Sequence, residues 1–295
     1  MKEFFSKISA AFLSFIITFL GFFGVTYNPI PEKDSLANTD ASVTRIMSFN
    51  IRCGEYNRRE KLVPGLIEAY APDSAGLQEC TYEWYLNLTE NLEDYAFVGV
   101  GRDTGDLSKD CGEISAIIYK KTKYDLIDSG TFWLSETPDE VSRGWDGACN
   151  RICTWVVLQD KETGKQYAHV NTHLDHIGPL ARKNGVELVK QKALSYDIPT
   201  VVTGDFNFDK GTDLYNSLVT GGLKDTQDIA PDTMYGKTYH GYNGGEKGDP
   251  IDFICVNNLI TDVRTYKVIR DKYELKHTSD HYPIYSDMVI QEQAK

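Results

Sequence analysis

The sequence is short of basic residues. Its 31 Lys and Arg are outnumbered by 43 Asp and Glu, which gives a formal net charge of −12 at pH 7. Because nonspecific affinity for polyphosphate comes mostly from Lys and Arg displacing counterions, this composition disfavours a tight, general nucleic-acid binder. It does not exclude phosphodiester cleavage, since clustered carboxylates can bind a divalent cation that supplies positive charge locally.

The sequence also lacks internal repeats, and it has no second linker-like stretch after its N-terminal region. A chain of 295 residues is long enough for one large domain or two small ones. We therefore expect a single large domain over residues 44–291.

The six cysteines lack the paired spacings of a zinc site. Their even number permits disulfides if the chain is exported. Cys53, Cys80 and Cys255 lie in or beside strand-like apolar runs and are expected to be small core residues. Cys111 and Cys149 lie in loop-like sequence and are the first pair to test for a disulfide.

Charged residues are absent from residues 8–27, and Lys2 and Lys7 precede this apolar run. The run is close to the roughly 20 residues that span a bilayer, and it has no evident small-x-small cleavage site. Residues 1–28 are therefore expected to be either a signal peptide or an N-terminal membrane anchor. The polar stretch 29–43 is expected to be a linker, which disfavours a buried core helix before it. The leader has no cysteine, so a lipid-modified cysteine is excluded.

Strand-like patterns outnumber helical ones in the rest of the chain. Residues 44–53 alternate apolar and polar side chains, whereas Leu62, Leu66 and Tyr70 recur at helical spacing. Further helices are predicted at 82–92 and around 186–193. This interspersed mixture favours two packed sheets with helices on the outside. The other predicted strands lie around 76–77 and at 96–100, 114–119, 152–158, 167–172, 200–203, 251–256, 263–268 and 283–290.

Polar residues stand at or just past the ends of these apolar strands. One such residue alone is weak evidence, since an Asn that ends a strand is usually a turn residue. Several that meet at one sheet edge are typical of a functional site. The segments are Ser48-Phe49-Asn50, Gly76-Leu77-Gln78-Glu79, Asn171-Thr172-His173-Leu174-Asp175-His176, Gly204-Asp205-Phe206-Asn207, Ile251-Asp252-Phe253-Ile254 and Ser279-Asp280-His281.

In this order along the chain, the six segments resemble those of the endonuclease/exonuclease/phosphatase superfamily, the DNase I-like proteins. The resemblance runs from about Arg45 to Ile290. It implies an α+β fold, a four-layer α/β/β/α sandwich in which two mixed sheets pack face to face. Three further segments resemble a bacterial branch of metal-dependent hydrolases. They are Phe132-Trp133-Leu134-Ser135, Gly144-Trp145-Asp146 and Arg151-Ile152-Cys153-Thr154-Trp155.

The resemblance implies a site for a divalent cation. By position, Glu79 would be the principal Mg²⁺ ligand, with Asn50 and Asp280 completing the protein shell directly or through water. Hard oxygen ligands and retained water suit this ion. Mn²⁺ is expected to substitute for Mg²⁺, and the number of ions, one or two, is open.

The resemblance also implies the catalytic groups. Asp205 would orient or deprotonate the attacking water, and Asn207 would hydrogen-bond a phosphate oxygen. His281 would face the phosphate with Asp252 on its other ring nitrogen, and either His281 or Asp205 is the general base. In a further pair, His173 would contact phosphate or the leaving oxygen and Glu113 would orient it.

The loop just before the strand predicted at 152–158, which carries arginine, tryptophan and asparagine side chains, is expected to face the substrate. Such groups can clamp an anionic or ring-bearing molecule. The alternatives are that Trp145 fills the core and that His240 lies in a solvated loop. The expected substrate-binding residues are Arg143, Trp145, Asn150, Arg151, His176 and His240.

Three functions are consistent with these patterns. The first is an exported, Mg²⁺-dependent phosphoesterase that cleaves phosphodiesters or phosphomonoesters of small molecules, sugars or lipids by in-line attack of water. The second is an extracellular nuclease, although no basic helix or Arg-rich loop for DNA is present, so nucleic acid would not be bound tightly. The third is a non-catalytic surface binding module, which the complete set of site residues disfavours.

The expected setting follows from the leader and the bacterial branch. We expect an extracellular protein, or one anchored on the outer face of a bacterial cytoplasmic membrane if the N-terminal segment is uncleaved. The protein is expected to be a monomer.

Overall fold

The alternating and apolar segments form thirteen strands within residues 27–291, the part of the chain that the computed structural model describes. In chain order these are β1 (Thr44–Asn50), β2 (Ser74–Cys80), β3 (Tyr95–Val98), β4 (Ile114–Lys120), β5 (Tyr124–Trp133), β6 (Ile152–Asp160), β7 (Gln166–His173), β8 (Thr200–Asp205), β9 (Leu223–Asp225), β10 (Asp232–Thr233), β11 (Asp252–Asn257), β12 (Val263–Val268) and β13 (Ile284–Met288).

Both sheets are mixed. The first has seven strands in the order β10-β12-β13-β1-β2-β4-β3, and the second has six in the order β5-β6-β7-β8-β11-β9. Strand β1 pairs parallel with β2 and antiparallel with β13. Strand β8 pairs parallel with β7 and antiparallel with β11. Strands β1, β8 and β11 are buried along their whole length, including polar residues such as Ser48 and Thr203.

Helices cover the outer face of each sheet. The first turn of α1 contains Pro64, where the missing N–H breaks no helical hydrogen bond. Helix α2 begins after Thr81, whose side chain accepts a hydrogen bond from the Trp84 amide. The helices are α1 (Leu62–Tyr70), α2 (Tyr82–Asn91), α3 (Pro179–Leu194), α4 (Asp213–Val219) and α5 (Thr226–Ile229), and residues Tyr56–Arg58 form a 3-10 turn.

Three apolar clusters define the layers. Leu66 of α1 packs with Phe49 of the first sheet, and Val189 of α3 packs with Val202 of the second. A third cluster fills the space between the sheets and includes Ile46, Ile117, Leu158, Val201 and Ile254. Helix, sheet, sheet and helix therefore stack in that order, which confirms the predicted four-layer sandwich.

The sheets also meet through a buried polar layer. His169 lies between Ser74 Oγ, 2.9 Å from its Nδ1, and Thr203 Oγ1, 2.8 Å from its Nε2. The Thr203 hydroxyl donates to Asn171 Oδ1, which also accepts from Gln78 Nε2. Every one of these side chains is fully buried. Residues 74–76 are small because polar side chains of the second sheet fill the space beside them.

Strand β5 is absent from the sequence-based prediction. It is an edge strand, paired only with β6 and largely exposed, and it carries a bulge between Leu126 and Asp128. Short elements such as α4 and β9 are also absent from the prediction. An exposed, acidic edge strand has neither the apolar run nor the regular alternation that identifies the central strands.

The cysteine predictions are partly wrong. All six cysteines are free thiols, so no disulfide joins Cys111 and Cys149. Cys111 is buried and its Sγ faces the Gly112 carbonyl, whereas the Cys149 Sγ faces Asp175. Cys80 and Cys255 are buried as expected. Cys53 is exposed, because β1 ends at Asn50 and the chain leaves the core before residue 53.

The predicted signal or anchor lies outside the described residues, apart from residues 27 and 28. Residues 29–43, predicted as a linker, contact the domain: Ile30 packs against the α1 side of the core, and the Leu36 carbonyl accepts from Arg45. Among the described residues, none of the helices combines the length and the apolar character needed to cross a bilayer.

Candidate active site

The predicted polar residues converge on a single cleft at one edge of the sandwich. His173 ends β7 opposite Asp205, which ends β8, and Asp252 begins the antiparallel β11 opposite the same Asp205. Asn50 and Glu79 lie at the corresponding end of the first sheet. The cleft has a volume of about 320 Å³ and is lined by Arg52, Glu79, Glu113, Arg151, His173, His176, Asp205, Asn207, Tyr239, Ile251, Asp280 and His281.

Left-handed backbone positions direct several of these side chains. Glu79 has a φ of 56° and lies where the β2–β4 register shifts, between Leu77 and Cys80. Arg52 and Asn207 also have positive φ, at 54° and 52°. Such conformations cost a non-glycine residue free energy and concentrate at functional sites. The bulge in β2 interrupts the alternation of the strand and directs Glu79 into the cleft.

Glu79 is held as a carboxylate. Its Oε1 accepts from Asn50 Nδ2 at 3.0 Å and its Oε2 accepts from the Cys53 amide at 3.0 Å. Burial opposes ionisation, but these hydrogen bonds outweigh it and lower the pKa of Glu79. The buried Asp280 accepts from Arg52 Nη1 in the same cleft. Two carboxylates with hard oxygen donors, one of them held ionised, fit an Mg²⁺-type ion.

Asn50, predicted to complete the shell of the cation directly or through water, contacts two acidic side chains in the structure. It is buried and does not line the cleft, and its amide nitrogen donates to both Glu79 and Asp205, the latter at 2.9 Å. Its oxygen accepts from the Arg52 amide. With this amide orientation, Asn50 holds the carboxylates of Glu79 and Asp205 beside each other. Glu79 and Asp280 line the cleft.

His281 is paired with an acid on each side. Its Nδ1 is 2.9 Å from Asp252 Oδ2, and its Nε2 is 3.7 Å from Asp205 Oδ2. Burial alone would lower the pKa of His281, but the charges of Asp252 and Asp205 outweigh burial and raise it. Burial and the neighbouring Asp252 raise the pKa of Asp205. The Asp252–His281 pair has the predicted geometry.

His173 and Glu113 do not form the predicted hydrogen bond. The His173 Nδ1 is 3.7 Å from Glu113 Oε2, beyond hydrogen-bond distance. Glu113 instead accepts from Arg102 at 2.7 Å and lies 3.5 Å from Arg151. Two guanidinium groups are stronger partners for a carboxylate than a neutral imidazole, which explains the difference. Burial and the charge of Arg151 lower the pKa of His173, whose Nε2 lies 3.4 Å from Asp205.

Two hydrogen bonds hold the segment that follows β8 in place. The Asn207 amide donates to Asp205 Oδ1 at 3.0 Å, and Asn207 Nδ2 donates to the Leu174 carbonyl at 2.9 Å. This leaves one N–H of the Asn207 side chain for another acceptor. Asp205 and Asn207 therefore both reach the cleft from one tight segment, as the sequence predicts.

The predicted substrate-facing residues divide into two groups. Arg151 and His176 line the cleft and contact each other, 3.3 Å apart. Asn150 donates to Asp103, and neither Arg143 nor Trp145 lines the cleft.

The prediction for His240 is wrong. Its ring is buried, stacks on Tyr282 with a centroid separation of 4.0 Å and lies behind the cleft. The neighbouring Tyr239 is the residue at the rim.

Four residues of the site are missing from the sequence-based prediction. Tyr239 is half exposed and its ring lies 5.0 Å from that of His281. Arg52 and Ile251 line the cleft, and Arg102 holds Glu113. Arg52 could have been found, because it lies two residues past Asn50 in the same strand-end segment. Nothing in the local sequence marks Arg102.

Comparisons with known proteins agree with this fold and site. The model of the "Endonuclease/Exonuclease/phosphatase family" matches residues 47–281. A family protein of known structure from Bacteroides thetaiotaomicron is 32% identical, covers 85% of this chain and 99% of its own, and has a TM-score of 0.79. One from Bacteroides vulgatus is 34% identical, with 84% and 99% covered and a TM-score of 0.77.

A third solved structure carries a more specific description. It is the mannosyl-6-phosphatase Bt3783 of Bacteroides thetaiotaomicron, 32% identical over 84% of this chain and all of its own, with a TM-score of 0.78. No match was found among curated proteins. The family match over most of the chain, together with two sheets and a cleft of the expected composition, leads to one conclusion: the chain belongs to the endonuclease/exonuclease/phosphatase family, whose members are hydrolases of phosphoester bonds.

Proposed function

We propose that this protein is an Mg²⁺-dependent phosphoesterase that hydrolyses the phosphate monoester of a small molecule, with sugar phosphates as the first class to test. The observation that carries the proposal is the Asp252–His281 pair facing Asp205 in the cleft that also holds Glu79 and Asp280. The 32% identical mannosyl-6-phosphatase supports the substrate class.

The size and lining of the cleft support a small substrate. A volume of about 320 Å³ is at the lower end of ligand pockets, which suits a phosphosugar better than a polymer. Tyr239 at the rim offers a half-exposed ring against which a sugar can pack. The net charge of −12 disfavours a long polyanion. No specific observation favours the nuclease alternative, and the complete acid-histidine set disfavours a non-catalytic module.

Glu79 and Asp280 would hold the cation, with Asn50 fixing Glu79. When bound, Mg²⁺, or Mn²⁺ in its place, would supply positive charge toward the non-bridging phosphate oxygens. The lowered pKa of Glu79 supports this assignment, since a ligand must be deprotonated.

The other polar residues of the cleft would bind the phosphate and transfer protons. The raised pKa of His281 makes it a cationic donor to a phosphate oxygen, held by Asp252. Asp205 then accepts the proton of the attacking water, with Asn207 donating its remaining N–H to the phosphate. His173 is kept neutral by burial and by Arg151, so it contacts the phosphate or the leaving oxygen as a neutral hydrogen-bond partner.

The proposal that the enzyme is exported or anchored depends on the composition of residues 1–28. Among the described residues, Asn28 donates a hydrogen bond to the Lys272 carbonyl.

A substrate panel tests the activity. Purified protein is assayed for phosphate release from mannose 6-phosphate and for cleavage of bis(p-nitrophenyl) phosphate, sphingomyelin, plasmid DNA and RNA, with Mg²⁺, Mn²⁺ or chelator. We expect metal-dependent phosphate release from the sugar phosphate. Asp252→Asn should lower kcat by about 10²–10⁴-fold, because it removes the charge that fixes the His281 proton.

Glu162→Gln is the matched control, since it removes a carboxylate from the exposed β6–β7 turn at the opposite end of β7. It should retain parental kcat. Equal turnover by Asp252→Asn and the parent would refute the mechanism. Plasmid or RNA cleavage faster than sugar phosphate hydrolysis would replace the proposed substrate class with nucleic acid.

A further inference from the structure

A second pocket of about 440 Å³ lies beside the catalytic cleft. Arg52 lines the cleft, Tyr242 lines the second pocket, and the Arg52 guanidinium carbon lies 5.7 Å from the centre of the Tyr242 ring. The side chains of Arg52 and Tyr242 therefore separate the two cavities. We call the second cavity the basic pocket, after Arg58, Arg59, Lys272 and Lys276, which line it.

The charge of this pocket is opposite to that of the protein. Four cationic side chains line it, with Glu55 as its one carboxylate, in a chain with a net charge of −12. Glu55 pairs with Arg58 at 3.6 Å, and both side chains are exposed, so the pair is weak. The lining has an excess of three positive charges.

Arg59 is a buried cation that forms no ion pair within the described residues. Its side chain is 2% exposed, and its guanidinium donates to the carbonyls of Ile51, Arg52, Gly54 and Thr278. Among residues 27–291, no acidic side chain forms an ion pair with it, and its Nε has no partner. A buried charge without a counter-ion is costly, and an anion in the adjacent pocket would offset that cost.

Other buried polar atoms of the pocket also lack partners. Within the described part of the chain, neither the Tyr242 hydroxyl nor either ring nitrogen of His277 has a hydrogen-bond partner. The His277 residue is 7% exposed. Such groups in folded proteins normally find a partner, and a bound ligand is one way to supply it. Hydroxyl and imidazole donors beside several cations suit a phosphate or carboxylate group.

We infer that the basic pocket binds a second anionic group, a phosphate or carboxylate, carried by the substrate whose phosphate monoester occupies the catalytic cleft. The inference rests on the proposed function. It narrows the substrate to molecules with two anionic groups, such as a bisphosphorylated sugar.

Two kinds of molecule carry a phosphate group that fits the basic pocket. Asn28 donates to the Lys272 carbonyl, and its own carbonyl accepts from the Glu274 amide, so the residue that follows the apolar run in the sequence lies beside Lys272 of the basic pocket. The phosphate of a lipid headgroup is therefore the second source beside a soluble bisphosphate, and the two are separated by experiment.

The kinetic test compares mannose 6-phosphate with glucose 1,6-bisphosphate. In the full-length protein, the combined substitution Arg58→Gln, Lys272→Gln and Lys276→Gln removes three exposed cations of the pocket. We expect the KM for the bisphosphate to rise about tenfold more than the KM for the monophosphate, the size expected for three exposed charge pairs. Lys121→Gln, Lys161→Gln and Lys224→Gln make the matched control, an equal charge change away from both cavities.

The lipid arm uses neutral-detergent micelles with and without phosphatidylglycerol. Competition by this lipid with the bisphosphate, abolished by the pocket substitutions, would support the pocket and assign it to headgroup phosphate. If the pocket substitutions raise the KM for the bisphosphate and phosphatidylglycerol does not compete with it, the result would support a soluble bisphosphate as the ligand. If the pocket and control substitutions change both KM values equally, the inference fails.

A binding readout is independent of turnover. Inorganic phosphate is titrated calorimetrically into metal-free Glu79→Gln protein with and without the pocket substitutions. Weaker phosphate binding in the substituted pocket supports the inference even if no sugar phosphate is hydrolysed. Equal binding in both proteins overturns it.

Discussion

Histidines illustrate how the surroundings of a residue set its chemistry. The chain has six, and five of them are buried. His281 lies between two aspartates and is held as a cation, since the pKa of its ring is raised. His169 lies between two hydroxyl groups, and burial alone lowers its pKa to about 3. The same side chain is thus held charged in the cleft and neutral between the sheets.

Acid should destabilise the fold through His169. Its ring stays neutral in the folded protein down to pH about 3, whereas the unfolded chain binds a proton below about 6.5. The stability that this neutral ring contributes is complete above pH 6.5 and falls as the pH drops toward 3. Between pH 7 and pH 5 the free energy of unfolding of the parent should fall by about 2 kcal/mol more than that of His169→Gln, measured by urea unfolding. Parallel pH profiles of the two proteins would contradict this assignment.

At the scale of elements, strand β2 combines a structural and a functional role. Its first half is made of small residues that admit the polar layer of the second sheet, and its end bulges to direct Glu79 into the cleft. A Cβ on Gly76 would collide with Thr203 Oγ1 and Asn171 Oδ1. The close approach of the two sheets therefore requires glycine at this position.

Gly76→Ala should destabilise the protein by about 1–3 kcal/mol, because overpacking displaces buried side chains and strains their hydrogen bonds. Chemical denaturation measures the effect. Gly54→Ala is the matched control, since an added Cβ there makes only ordinary contacts, the nearest at 3.6 Å to Arg52. Equal stability of the two variants would show that the layer between the sheets is looser than described.

The sequence predicts central elements far better than peripheral ones. Strand β1 shows an alternating pattern, β8 and β11 contain short β-branched and apolar runs, and α1 shows clear helical spacing. Strand β5 escapes detection because it is an exposed edge strand with a bulge after Leu126, so its apolar residues Leu126 and Ile127 do not alternate with polar ones. The sequence does not distinguish His240 from Tyr239 as the residue that faces the cleft, because a loop has no alternation that assigns neighbouring side chains to opposite faces.

The same limit applies to the site. Strand ends and the family resemblance identify Glu79, Asp205, Asp252 and His281, which the structure brings to one cleft. Glu113 pairs instead with Arg102, which lies near the other end of the same connection between β3 and β4. The path of this irregular connection decides the contact, so local sequence does not encode it visibly.

At the scale of the whole molecule, the proposed function requires an acidic protein to bind an anionic substrate, and cationic side chains lie in and beside the proposed site. The chain carries −12 overall, yet Arg52, Arg151 and the His281 cation line the cleft, and the basic pocket adjoins it. Each sheet contributes its strand ends to the same edge. The carboxylates Glu79 and Asp280 at that edge are the proposed site of the divalent cation.

The most direct test of this account is a calorimetric titration of the parent protein and Glu79→Gln with Mg²⁺ in the absence of substrate. Glutamine preserves the shape of the side chain and removes its charge. We predict saturable Mg²⁺ binding by the parent and an affinity at least about tenfold lower in the variant, with the far-ultraviolet circular dichroism unchanged. Equal Mg²⁺ affinity in the two proteins would contradict the account.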